Sequence, residues 1–74
     1  MGVVYHMLIN RVKELRARHS YTQSDLGELV KASRQTIGMI EKGDYAPSVL
    51  LALKIAKALR VDLEEVFWIE GEDE

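Results

Sequence analysis

Apolar positions along this chain follow two different spacings, and the changes between them divide it into short elements. Val3 to Ile9 is rich in β-branched and other apolar side chains and is closed by Asn10 and Arg11. Such a run predicts a strand over residues 3–9, with Asn10 able to cap whatever follows. From Arg11 to His19 the spacing turns helical, with Val12 and Leu15 three apart. Thr22-Gln23-Ser24-Asp25 then places a hydroxyl at a cap position and a carboxylate three residues on, the arrangement of a capping box. A second helix therefore starts there, with Leu26, Leu29 and Val30 as its apolar side. Ser33 offers the next cap and Gly43 the next stop, which encloses a third helix, Arg34 to Lys42, with Ile37 and Ile40 facing inward. After the loop Asp44 to Pro47, Ser48 caps a fourth helix running to about Arg60, and Leu50, Leu51, Leu53, Ile55, Ala56 and Leu59 are available for the core. Asp62 and Glu65 repeat the capping-box spacing and open a short fifth helix that contributes Leu63, Val66 and Phe67. A strand over residues 67–70 can pair with residues 3–9, since neither is stable without a partner.

Composition narrows the class. At 74 residues, 47% apolar and 30% charged, the sequence describes one small folded domain, residues 1–74, with a helical core over 10–67. Cysteine is absent, which excludes disulfides, cysteine-ligated zinc, iron-sulfur clusters and thiol chemistry, and suits a reducing cytoplasm. No apolar run approaches the roughly 18 residues of a membrane helix, and the first basic residue follows the N-terminal apolar run instead of preceding it as in a signal peptide. His6 and His19 are too few for a three-histidine metal site. The glycines stand alone, with no phosphate cradle after any of them. Ser33 and Ser48 read as caps, not nucleophiles. The expectation is a protein that is not an enzyme, with no cofactor, no metal and no evident small-molecule site.

Net charge is −2, but it is divided unevenly. All ten Lys and Arg fall in residues 1–60 against five acids, whereas residues 61–74 hold seven acids and no base. One reading is a two-faced field that steers a polyanion to the basic side; the other is an acidic end that only solubilises the chain.

The connection over residues 31–33 is short and flanked by strong helix signals. Two helices joined this tightly make a helix-turn-helix unit, whose second helix is slim enough for the major groove of DNA. The third helix would then turn Arg34, Gln35, Gly38 and Met39 toward bases. Arginine matches guanine O6 and N7, glutamine matches adenine N6 and N7, and methionine can meet a thymine methyl. Gly38 costs a helix about 1 kcal/mol relative to alanine, and close approach to DNA is one compensating reason for it. Gln23, Ser33, Thr36, Lys42 and Tyr45 are the candidates for backbone phosphates, while Arg11, Lys13 and Arg18 read as a solvated face. Arg16 and Glu41 flank apolar positions and either form a buried pair or remain exposed.

These pieces, T-Q-S-D-L-G at 22–27, S-R-Q-T-I at 33–37, I-E-K-G at 40–43, P-S at 47–48, L-K-I-A-K-A-L at 53–59 and E-E-V-F at 64–67, resemble the phage repressor and Cro type of helix-turn-helix proteins, the xenobiotic response element family. The resemblance spans Asn10 to Phe67. It implies a mainly α, five-helix, lambda-repressor-like DNA-binding domain with a small antiparallel β element from the two termini, acting as a homodimer on near-palindromic operator DNA to repress or activate transcription. It also implies that Gln23 and Lys42 touch the DNA backbone, that Arg34, Gln35, Gly38 and Met39 face bases, and that Arg16 pairs with Glu41. Two positions depart from the family pattern. Gly27 stands where alanine is usual, and Lys31-Ala32 stand where a glycine and a small β-branched residue commonly form the turn. The chain most resembles the compact stand-alone subgroup; a dimer would bury some of Leu63, Val66, Phe67 and Trp68, since a lone 74-residue chain has a limited core, the alternative being that Trp68 caps its own core. An antitoxin or other protein-binding module of the same fold, with a toxin as partner, is the alternative function.

Overall fold

A computed structural model of the chain describes residues 6–71. Its order is β1 (His6–Asn10), α1 (Val12–Arg18), α2 (Gln23–Val30), α3 (Arg34–Lys42), α4 (Val49–Ala58), α5 (Leu63–Val66) and β2 (Phe67–Gly71). The strands pair antiparallel, with Leu8 opposite Ile69 and Asn10 opposite Phe67. The first strand runs one residue further than expected, taking in Asn10, while residues 3–5 of the expected strand lie outside the described residues. Among the described residues no helix is long and apolar enough to cross a membrane.

Local signals set the helix ends. Thr22 Oγ1 accepts the Asp25 amide at 3.0 Å, and Asp25 Oδ2 accepts the Thr22 amide at 2.9 Å. Ser33 and Ser48 accept from Thr36 and Leu51 in the same way. Asn10 works at both ends of its amide: Oδ1 accepts the Val12 N–H at 3.1 Å, and Nδ2 donates to the Ile40 carbonyl at 2.9 Å, tying the start of α1 to the last turn of α3. Gly43 closes α3 at φ 81, as expected. The chain also turns left-handed after α1, α2 and α4, but there it does so at Ser20, Lys31 and Arg60.

The core comprises Val12, Leu15, Leu26, Val30, Ile37, Ile40, Ala52, Ile55, Ala56, Leu59, Val66 and Phe67. Three leucines expected inside are not there: Leu50, Leu53 and Leu29 are 64%, 49% and 55% exposed. In α4 the residues that share a face at i, i+3, i+4 and i+7 are Ala52, Ile55, Ala56 and Leu59, and this phase leaves Leu50 and Leu53 outside. In α2 the buried side includes Gly27, which rotates Leu29 outward.

Gly27 is also not the near-equivalent of alanine that its size suggests. A Cβ there would stand 2.5 Å from the Ala32 carbonyl oxygen, because the turn folds back until Ala32 N–H reaches the Gly27 carbonyl at 2.9 Å. Gly27→Ala is therefore expected to destabilise: overpacking costs about 1–3 kcal/mol, against a gain of up to about 1 kcal/mol in helix propensity. Urea unfolding followed by circular dichroism measures the balance, and a midpoint at or above the parent's would contradict it.

Of the residues expected at a dimer interface, two pack inward. Val66 is 0% and Phe67 8% exposed within a single chain, so both are already committed to its own core. Leu63 packs partly against that core, and Trp68, half-buried, lies under the Arg11 guanidinium at 5.1 Å.

Candidate nucleic-acid interface

The third helix is held by what lies behind it. Ile37 and Ile40, at 0% and 1% exposure, fasten one side of α3 to the core. At about 100° per residue, Arg34, Gln35, Gly38, Met39 and Lys42 fall on the opposite side. Arg34, Gln35, Met39 and Lys42 are exposed, and Gly38 partly so. Together with Gln23 from the start of α2 they line one shallow open depression. Nine residues make α3 about 13 Å long.

Not every residue expected at the DNA backbone joins this surface. Ser33 is exposed at the N-terminal end of α3, where it caps the helix, and its hydroxyl also meets that of Thr36 at 2.8 Å. Thr36 sits on the flank of α3 away from Gln35 and Lys42. Tyr45, 45% exposed, belongs to a separate hollow between β1, the end of α3 and the following loop. Arg11, just before α1, and Arg18 within it are occupied locally: Glu14 takes Arg18 at 2.7 Å and Arg11 at 3.8 Å.

Arg16 and Glu41 pair in a partly buried position. Arg16 Nε and the nearer Glu41 oxygen are 2.7 Å apart, a second bond runs from Nη2 at 3.3 Å, and Nη1 donates to the Tyr21 carbonyl at 3.0 Å. Side-chain exposures of 14% and 6% put the pair largely out of water. Sequence reasoning missed the third member. Gln23 Nε2 donates to Glu41 Oε1 at 3.0 Å across 18 residues of chain, a separation for which no local spacing rule exists. Gly38 also has a role within the chain: the Gln23 amide lies beside it, 3.4–3.8 Å from where a Cβ would be.

Residues 12–66 match the helix-turn-helix family. An uncharacterised HTH-type transcriptional regulator of Bacillus subtilis, YgzD, is 61% identical over 64 residues, which is 86% of this chain and 97% of that protein. An uncharacterised HTH-type regulator of Methanocaldococcus jannaschii is 48% identical, with the same coverage of both chains. Among solved structures, the restriction-modification controller protein of Aeromonas hydrophila superposes with a TM-score of 0.69 at 31% identity, covering 73% of this chain and 82% of that one. A match through every helix, with relatives covered almost end to end, leaves one assignment: the chain belongs to the helix-turn-helix family, in its xenobiotic-response-element and lambda-repressor branch.

Proposed function

We propose that this DNA-binding transcriptional regulator reads its site with α3 and acts as a repressor, two copies sharing one near-palindromic operator. The observation that carries the reading is the outer side of α3, where Arg34, Gln35 and Lys42 stand together over the depression completed by Gln23. Arginine and glutamine supply the bidentate geometry for guanine and adenine, and Lys42 supplies charge for a phosphate. Two-fold symmetry would separate the reading helices by about 34 Å, one turn of duplex. For the contact between copies, Leu63 and Trp68 remain from the expected set. The paired Leu8 and Ile69, 40% and 66% exposed, offer a second apolar patch on the sheet face opposite Trp68.

The test is affinity for a duplex selected from random sequence, compared with a scrambled duplex, at several salt concentrations. Preference for the selected duplex, with two chains bound per duplex in sedimentation, is the expected result; equal affinity for both rejects the regulatory reading. Lys42→Ala should weaken both duplexes alike and lower the slope of log affinity against log salt by about one. An unchanged slope would remove Lys42 from the phosphate contacts.

A further inference from the structure

We infer that Glu41 and Gly38 are positioning residues for Gln23, fixing which end of its amide is left for DNA; the inference rests on the DNA-binding reading above. A carboxylate only accepts hydrogen bonds, so Glu41 Oε1, 3.0 Å away, selects the Nε2 end of the Gln23 amide and rejects the flipped orientation, which would set oxygen against oxygen. Glu41 cannot turn away, because Arg16 holds it at two points and is itself anchored on the Tyr21 carbonyl. One Nε2 hydrogen is thereby used, and the second hydrogen and Oε1 remain for a ligand in the depression that Gln23 shares with Arg34 and Gln35. An amide held in one orientation does not lose rotamer freedom again on binding.

Gly38 supplies the room. The nitrogen, oxygen and carbon of the Gln23 amide lie 3.4, 3.7 and 3.8 Å from the site of a Cβ at position 38. A methyl group there would make ordinary contact, whereas the two further carbons of valine would crowd the amide. Valine is no worse than glycine in a helix, so Gly38→Val probes placement without a propensity penalty. Alanine is the control that keeps the arrangement.

Two measurements decide. In the free protein, the side-chain amide protons of Gln23 should give a distinct, downfield-shifted pair by NMR, kept in Gly38→Ala and moved to the position of an exposed glutamine in Gly38→Val. On the selected duplex, Gln23→Ala and Gly38→Val should each weaken binding by about fivefold to tenfold, the range of one hydrogen bond. The double variant should be no weaker than either single one. Full additivity would mean that Gly38 meets DNA by itself, and an unaffected Gln23→Ala would remove the amide from the interface; either result overturns the inference. Loss of sequence preference in the unsubstituted protein would instead sink the DNA-binding reading, with the NMR signature still in place.

Discussion

Glu41→Ala is expected to lose about 3–5 kcal/mol of stability, the cost of leaving a buried charge without its partner. The orphaned group is Arg16, at 14% side-chain exposure, which keeps its hydrogen bond to the Tyr21 carbonyl but loses its counter-charge. A 74-residue domain has a margin of only about 4–11 kcal/mol at the usual stability per residue. The variant should therefore melt far below the parent or be partly unfolded at room temperature, as thermal and urea denaturation will show. Replacing both partners by apolar residues of similar size, Arg16→Met with Glu41→Leu, should recover much of the loss, because two apolar side chains carry no desolvation penalty. If the double variant is as unstable as Glu41→Ala, the pair is not the source of the effect. Since Glu41 also belongs to α3, the bridge anchors α3 to α1, and its strength bears directly on how rigidly that helix is held.

The second large effect falls on recognition and spares the fold. Arg34→Ala combined with Gln35→Ala should erase roughly 2–6 kcal/mol of discrimination, taking about 1–3 kcal/mol for each bidentate base contact. Affinity for the selected duplex should then collapse to that for the scrambled one, while the melting temperature hardly moves, because both side chains are exposed on α3. Binding of the selected duplex at parental affinity would show that another surface does the reading.

The helix boundaries were legible because they are written locally. A cap hydroxyl and the amide it accepts are three residues apart, so Thr22, Ser33 and Ser48 announce their helices without reference to the rest of the chain. The bounds of α3, with Gly43 closing it, follow from such signals alone. Burial was harder where apolar residues crowd. Leu50 and Leu53 look like core by composition, and only the phase set by Ala52, Ile55, Ala56 and Leu59 shows them to be outside. The outer face of α3 could be read from its periodicity, and the Arg16–Glu41 pair came from family resemblance. The bonds from Gln23 to Glu41 and from Asn10 to the Ile40 carbonyl could not be read, since they join residues that only the folded backbone brings together. The tightness at Gly27 is of the same kind, being set by the path of the turn as far as Ala32.

The strand pairing has a practical corollary for anyone attaching cargo to this domain. Met7 lies across from Glu70, so polypeptide leading into the first strand and polypeptide leaving the last one emerge as neighbours. Dyes attached at Met7 and Glu70 would sit within reach of each other, and a linker joining those two positions would close a small loop instead of bridging the molecule.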